Sequence, residues 1–289
     1  MLRRTFILAL AIHAGLAAQT AKYGSNPAAG KTFTHDGVKL YYETYGAGEP
    51  LLIIHGNGGS IFDVGAQIDH FRKRYRVIAM DSRDHGKSAD TSDEVTYEKM
   101  AGDLAALLDH LKAGPAYVLG WSDGGIEALI LGMRYPGKVK KIAAMAANLN
   151  PSDKALHPEA VKFIQEAVAG MKAAGAPATQ QGKRELKLMQ MMLDHPNIDA
   201  SALRSIQAPT LVLAGDHDVI ADAHTLEIFH NIPNSYLCIF PNASHMIPFD
   251  DPARFNGAVE RFFREPYVKR DRIKDFLSSI EKMKAAAAK

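Results

Sequence analysis

The feature that most constrains the fold is a repeated alternation between short apolar runs and helical stretches. The apolar runs, typical of strands buried on both faces, lie at 51–56, 75–81, 116–121, 140–146, 210–216 and 235–240. Between them, 97–111 and 124–135 carry apolar residues at helical spacing. This alternation predicts an α/β fold with a mostly parallel central sheet and helices on both faces.

Three stretches depart from this rhythm. A hairpin is predicted over residues 31–46, with its turn at Asp36-Gly37. Residues 151–205 contain helical stretches near 158–174 and 181–194, which indicates a helical cap folded over the strand ends, or alternatively a longer crossover connection. The tail after residue 267 has apolar residues at helical spacing, and this favours a helix docked on the core over a dimerisation or partner helix. The predicted segments are a signal at 1–18, a linker at 19–30, core at 31–150, cap at 151–205, core at 206–266 and tail at 267–289.

The N-terminus has the layout of a secretory signal. Arg3 and Arg4 precede a short apolar stretch, and small residues follow up to Ala18. The apolar stretch is too short to span a bilayer comfortably, although a membrane anchor or an ordinary N-terminal helix remains an alternative. The chain has 1 cysteine, Cys238, which excludes an internal disulfide. We therefore expect export to a bacterial periplasm or beyond, without stable membrane insertion once the signal is removed.

Charge gives little support to a nucleic-acid partner. The 289 residues include 34 Lys or Arg and 32 Asp or Glu, for a formal net charge of +2. No block of basic residues dominates the chain, as it would in a protein with a nucleic-acid surface. No cofactor or metal is expected either, because the chain lacks a Cys-rich metal motif.

The sharpest motif is GWSDGG at 120–125, which follows an apolar strand and precedes a helix. Small residues on both sides of Ser122 permit a tight, strained turn that exposes the serine oxygen at a helix N-terminus. A glycine-rich turn with an incidental serine is the alternative. The strand before the motif and the helix after it favour a catalytic nucleophile.

A serine nucleophile needs a base and an orienting acid. His245 follows the last predicted strand, and Asp218 follows the strand at 210–216, with Asp216 as a competitor for the acid. The order Ser122, Asp218, His245 is nucleophile, acid and base along the chain. The sequence therefore predicts a Ser-His-Asp triad.

Two backbone N–H groups are candidates for an oxyanion hole. That of Asp123 lies at the helix start, and that of Asn57 lies in the glycine-rich loop HGNGG after the first buried strand. This loop lacks the lysine and spacing of a phosphate-binding loop.

Taken in order, HGNGG, DSRDHGKS at 81–88, GWSDGG, GDHD at 215–218 and the Ser244-His245 pair resemble the α/β-hydrolase superfamily, over about residues 32–265. The stretch VLGWSDGGIEALILGMRYP is similar to the valacyclovir hydrolase and biphenyl hydrolase-like branch. The resemblance implies an eight-stranded core whose first strands are antiparallel, with a helical cap over the active site. Asp84 and Ser244 stand where the family pattern usually has glycine.

These residues predict a serine hydrolase that cleaves a carboxylic ester, or a related acyl bond, of a small molecule. The same triad could perform cofactor-free perhydrolysis or C–C bond hydrolysis, whereas a non-catalytic binding protein would not need it. Ser122 argues against dehalogenases and epoxide hydrolases, which use an aspartate nucleophile.

Candidate substrate contacts are Trp121, Met189, Met192 and the carboxylate of Asp123. Methionines can form a flexible apolar lining, although those of the cap can equally pack the cap onto itself. The Asp123 carboxylate can bind a cationic group of the substrate, or turn away and pair with a neighbouring Lys, Arg or backbone N–H.

Overall fold

The central element is an eight-stranded sheet with the order β1-β2-β4-β3-β5-β6-β7-β8. The computed structural model describes residues 23–91, 94–175, 177 and 179–287. Within these residues the strands are β1 Gly30–His35, β2 Val38–Tyr45, β3 Pro50–Ile54, β4 Arg76–Met80, β5 Ala116–Trp121, β6 Val139–Met145, β7 Thr210–His217 and β8 Ser235–Ser244. Strand β2 runs antiparallel to both of its neighbours, β1 and β4, and β3 to β8 run parallel to one another. The predicted α/β fold is confirmed.

The helices connect the strands and cover both faces of the sheet. They are α1 Gly65–Phe71, α2 Tyr97–His110, α3 Asp123–Arg134, α4 Pro158–Ala173, α5 Gln180–Asp194, α6 Asp222–Asn231, α7 Ile247–Asp250, α8 Pro252–Arg264 and α9 Arg272–Ala287. Successive side chains of β3 alternate between two cores: Leu52 packs in the core that contains α2 and α3, and Leu51 in the core that contains α1 and α8. Because β5, β7 and β8 are parallel, their carboxyl ends meet at one edge of the sheet.

Helices α4 and α5 lie between β6 and β7, at the place where the sequence predicts a helical insertion. The buried side chains of α5, Leu188 and Met191, join the core that contains α2 and α3. The assignment of residues 151–205 as a cap over a substrate stays a prediction.

The prediction that the tail helix docks on the core is wrong. None of the described side chains of α9 is buried, and Phe276 is 61% exposed. The adjacent sheet face is already covered by α8, which buries Phe255, Val259 and Phe263.

The predicted export signal at 1–18 lies outside the described residues, as does the beginning of the predicted linker. Among the residues that the structure describes, no helix combines the length and the apolarity that crossing a membrane requires.

Candidate active site

Ser122 occupies a strained turn between β5 and α3. Its backbone has φ 57° and ψ −120°, a positive φ that is rare for a residue with a side chain. Ser122 N–H donates to the carbonyl of Met145 at 2.9 Å, which fixes the turn against β6. A Cβ on Gly120 would overlap the carbonyl of Gly124, and one on Gly124 would overlap that of Ile54. The two glycines are therefore required by the close approach of α3 to the sheet.

The residues of the predicted triad form one chain of hydrogen bonds. Nε2 of His245 lies 3.0 Å from Oγ of Ser122, and Nδ1 of His245 lies 2.7 Å from Oδ1 of Asp218. The Asp218 side chain is fully buried, and the His245 side chain is 17% exposed. With Nδ1–H donating to the carboxylate, Nε2 is free to accept the hydroxyl proton of Ser122.

Asp216, the competitor for the acid, faces away from His245. Its carboxylate accepts hydrogen bonds from the backbone N–H groups of Asn242 and Ala243, at 2.9 and 3.0 Å. These N–H groups, together with the His217 side chain, hold the pKa of Asp216 well below its usual value. Asp216 thus fastens the end of β8, from which His245 follows.

The two candidate oxyanion donors lie beside the nucleophile. The neighbour of Asn57 in its loop, Gly56, approaches Ser122 so closely that an added Cβ would lie 3.2 Å from the serine Cβ. Within the described residues, neither the N–H of Asn57 nor that of Asp123 donates to a protein acceptor. Both groups are therefore unpaired in the described part of the chain, and their role as oxyanion donors stays a prediction.

The carboxylate of Asp123, the residue that follows the nucleophile, is buried. Its Oδ2 accepts a hydrogen bond from the side-chain amide of Asn57 at 2.9 Å, and its Oδ1 accepts one from the hydroxyl of Tyr97 at 3.0 Å. Burial raises the pKa of Asp123, and these two donors oppose that increase. The side chain thus pairs with neutral donors, and not with the Lys, Arg or backbone N–H expected if it turned away from the substrate.

A second buried carboxyl, Glu127, lies one turn further along α3. Its Oε2 has no hydrogen-bond partner within the described residues. Burial first, and then the negative charge of Asp123, raise the pKa of Glu127 well above its usual value. The raised pKa favours the protonated, neutral form of the Glu127 carboxyl in the folded protein.

Trp121 supports the histidine loop. Its indole Nε1–H donates to the carbonyl of His245 at 2.9 Å, and its ring packs edge-on against Phe249 with centroids 4.6 Å apart. The indole N–H is thus already committed to the position of the base. A substrate contact through the ring of Trp121 stays a prediction.

Two ion pairs hold helix α5 against the loop after β4, which contains Asp84 and Asp90. Lys187 Nζ lies 2.9 Å from Oδ1 of Asp84, and Arg184 Nε lies 2.6 Å from Oδ1 of Asp90. Asp84 adopts φ 59°, which explains why glycine is usual there. The carbonyl of Leu188 in α5 also accepts a 3.3 Å hydrogen bond from the Asn57 side chain.

The two candidate methionines lie on this same helix. Met189 and Met192 are both half-buried, flanking the buried Met191. Their contact with a substrate stays a prediction. The described residues contain no group of three or more His, Cys, Asp or Glu side chains that could hold a metal ion.

Sequence reasoning missed Tyr97 and the side-chain roles of Asn57, Trp121 and Glu127. Tyr97 is 26 positions from Asp123, and no local motif connects them. The GWSDGG motif includes Trp121, but its bond to a carbonyl 124 positions away depends on the fold.

The sheet and the strained serine turn define the class of protein. Residues 49–174 match the family model of the alpha/beta hydrolase fold. The chain therefore has the α/β-hydrolase fold, and its similarities support a hydrolase.

More particular similarities place it near serine hydrolases. The chain is 28% identical to Serine hydrolase BPHL of Homo sapiens, with 88% of this chain and 92% of that protein covered. It is 28% identical to the non-heme chloroperoxidase CPO-A1 of Kitasatospora aureofaciens, covering 80% of this chain and 98% of the relative. A solved hydrolase from Pseudomonas aeruginosa PA01 superposes with a TM-score of 0.68 at 25% identity, covering 83% of this chain and 100% of that one.

Proposed function

We propose that this hydrolase cleaves a carboxylic ester, or a related acyl bond, of a small molecule through an acyl-enzyme on Ser122. The observation that carries the proposal is the continuous hydrogen-bonded chain from Ser122 through His245 to Asp218. A serine whose hydroxyl contacts an imidazole, itself oriented by a buried carboxylate, is an activated nucleophile.

In the first half of the reaction, Oγ of Ser122 attacks the ester carbonyl while Nε2 of His245 accepts the hydroxyl proton. The carbonyl oxygen becomes an oxyanion, which accepts hydrogen bonds from the N–H groups of Asn57 and Asp123. As the C–O bond of the ester breaks, His245 returns the proton to the leaving alcohol. Asp218 stabilises the imidazolium throughout.

In the second half, a water molecule attacks the acyl carbonyl and His245 accepts its proton. The ester bond to Ser122 breaks, and the proton passes back to Oγ, which regenerates the enzyme and releases the acid. Water can be replaced by hydrogen peroxide in the same site, so the balance between hydrolysis and perhydrolysis depends on which nucleophile reaches the acyl-enzyme.

A fluorophosphonate probe tests the nucleophile directly. Oγ of Ser122 should displace fluoride and form a phosphonyl ester that mass spectrometry locates on the peptide containing GWSDGG. Ser122→Ala is the matched control and should remain unlabelled. Labelling of wild type at another serine, or equal labelling of the variant, would contradict the proposal.

A substrate panel tests the bond that is cleaved. We expect p-nitrophenyl esters to be hydrolysed, with kcat/KM dependent on acyl length. C–C cleavage of a vinylogous 1,5-diketone and peracid formation from acetate and peroxide serve as competing reactions. A higher kcat/KM for either competitor would displace the ester assignment while leaving the labelling of Ser122 intact.

We also propose that the chain is exported, on the basis of its N-terminal sequence. Arg3 and Arg4, the apolar stretch and the small residues up to Ala18 support this proposal. N-terminal sequencing of the protein from a bacterial periplasmic fraction should find a start near Gln19. An intact Met1 in the cytoplasmic fraction would contradict export.

A further inference from the structure

Helix α9 carries an exposed apolar face. The apolar side chains recur at helical spacing, and they are Ile273, Phe276, Leu277, Ile280 and Met283. Phe276 and Leu277 are 61% and 52% exposed, and Met283 is 72% exposed. Large apolar side chains grouped on one face indicate an interaction site more strongly than scattered ones do.

The charges around this face are mainly basic. Residues 269–284 contain six Lys or Arg and three Asp or Glu. In helical projection Arg272 lies beside one edge of the apolar face and Lys274 toward the other. An amphipathic helix bordered by basic residues has the pattern of helices that lie in the interface of an anionic membrane.

The nearest apolar groove on the protein is a poor partner for this helix. It has a volume of about 820 Å³ and is lined by apolar side chains of β8 and α8, including Tyr236 and Phe262. Its charged lining residues are Arg261, Glu265, Lys269, Arg270 and Arg272. Because that lining is predominantly basic, it disfavours α9 of a second copy, whose charges are also mainly basic.

Self-pairing of two α9 helices is disfavoured by Lys284. This residue continues the i, i+4, i+7, i+11 row of Ile273, Leu277 and Ile280, and so lies on the apolar face itself. In a seam between two helices its ammonium group would be desolvated without a partner. At a bilayer surface the same side chain can extend its charge to the lipid headgroups.

We propose that α9, with the basic segment before it, attaches this protein to membrane surfaces that contain anionic lipids. The apolar face enters the headgroup region, and the basic residues contact lipid phosphates. This is attachment along the interface and involves no spanning helix.

The attachment point lies away from the candidate active site. The tail is fastened at Tyr236, whose hydroxyl donates to the carbonyl of Val268 at 2.7 Å and accepts from its N–H at 2.9 Å. Tyr236 is at the start of β8, and His245 follows its end. Tyr236 pairs with Leu211 of β7 and Ser244 pairs with His217, so the two ends are separated by six residues of β7, on the order of 20 Å. Membrane attachment should therefore leave hydrolysis of a soluble ester unchanged.

Vesicle cosedimentation tests this proposal. Wild type and all variants are purified from the same exported fraction, so that they have the same N-terminus. Each is mixed either with vesicles of equal parts phosphatidylglycerol and phosphatidylcholine or with vesicles of phosphatidylcholine alone. We expect wild type to sediment with the anionic vesicles and to be released by salt. Arg272→Gln with Lys274→Gln should weaken partitioning about 25-fold, since each basic residue near the surface contributes about fivefold.

Phe276→Ser with Leu277→Ser should abolish vesicle binding, whereas Ser278→Ala with Ser279→Ala, on the polar side of α9, should preserve it. All variants should hydrolyse a soluble ester like wild type, which shows that the core is folded. Absence of wild-type binding to anionic vesicles, or equal binding by the Phe276/Leu277 variant, would overturn the proposal. A third outcome would also overturn it: wild type forms a concentration-dependent dimer, the Phe276/Leu277 variant is monomeric, and neither protein binds vesicles. The apolar face of α9 would then bind a second protein molecule.

Discussion

Two buried carboxylates lie near Ser122 and differ in the partners that hold them. Asp218 faces an imidazole that can become cationic, at 2.7 Å. Asp123 faces the neutral amide of Asn57 and the neutral hydroxyl of Tyr97, at 2.9 and 3.0 Å. The Asp218 carboxylate can therefore stabilise a charge that appears and disappears during the reaction, whereas the Asp123 carboxylate keeps partners whose charge does not change.

This difference separates catalysis from positioning. Around Asp218, a proton can move between His245 and the reacting oxygens. Around Asp123, the hydrogen bonds hold the Asn57 side chain between α3 and the carbonyl of Leu188 in α5. The loop that carries the proposed oxyanion donor of Asn57 is thus bonded to both α3 and α5. Substitutions around the two carboxylates should have different kinetic effects.

The largest expected effect comes from Ser122→Ala, which removes the hydroxyl group proposed as the nucleophile. We expect kcat/KM for p-nitrophenyl acetate to fall by at least about 10⁴-fold, because no acyl-enzyme can form. Thermal unfolding should be little changed, since the Ser122 N–H bond to Met145 involves the backbone. Retention of more than a few percent of the wild-type rate would show that the nucleophile is another residue.

The next largest effect should distinguish Asp218 from Asp216. Asp218→Asn should lower kcat by about 10⁴-fold, because a neutral amide favours the wrong imidazole tautomer. Asp216→Asn should cause a much smaller loss, since the Asp216 carboxylate bonds within the described residues to the Asn242 and Ala243 N–H groups and the exposed side chain of His217, and not to His245. Steady-state kinetics of both variants provide the measurement. A greater loss of kcat at Asp216 would reverse the assignment.

The contrast between the two carboxylates also shows what sequence can predict. Ser122 was identifiable because its turn requires small residues within six consecutive positions, and the order of the strands then indicated Asp218 and His245. The surroundings of Asp123 have no such signal. Asn57 and Tyr97 are 66 and 26 positions away from Asp123, and ordinary asparagine and tyrosine residues carry no spacing rule.

For the tail, the sequence predicted the secondary structure but not where the helix packs. The apolar spacing in α9 correctly predicted a helix, but helical spacing does not specify what covers the apolar face. The strand pattern of the sheet was more informative because runs buried on both faces leave little choice of neighbours. Whether a surface helix docks depends on how much of the core is already covered, here by α8.

A smaller effect on the reaction is expected from Asp123→Ala. The carboxylate oxygens have spare lone pairs beyond their single bonds to Asn57 and Tyr97. If the substrate carries an ammonium group, wild type should prefer an amino-acid ester over its des-amino analogue, and the variant should lose that preference by about 1.5–3 kcal/mol. The measurement is the ratio of kcat/KM values for the two esters.

Tyr97→Phe is the matched control for this comparison. It removes one donor to the Asp123 carboxylate but keeps the negative charge, so the preference for the amino ester should persist. Equal kcat/KM for both esters on wild type would exclude a cationic substrate group at this position. The carboxylate would then serve only to hold Asn57 and Tyr97.

The smallest expected effect on the reaction belongs to Glu127, which touches neither the nucleophile nor the base in the hydrogen-bond network. Its raised pKa nevertheless affects stability. At pH values between the ordinary glutamate pKa and the raised folded value, the unfolded chain has lost the Glu127 proton and the folded chain retains it. The free energy of unfolding therefore falls as pH rises across this window, by about 1.4 kcal/mol per pH unit.

Glu127→Gln removes this titration, so the variant should lose that part of the pH dependence and gain stability relative to wild type as the pH rises. Urea unfolding at a series of pH values from mildly acidic to mildly alkaline measures it, with kcat for a soluble ester as a parallel readout that should change little. Glu166→Gln, at a side chain 70% exposed on α4, provides the matched control and should follow the wild-type slope. Parallel pH profiles for Glu127→Gln and wild type would mean that the Glu127 carboxyl ionises normally in the folded protein, and that a charge can be accommodated beside Asp123.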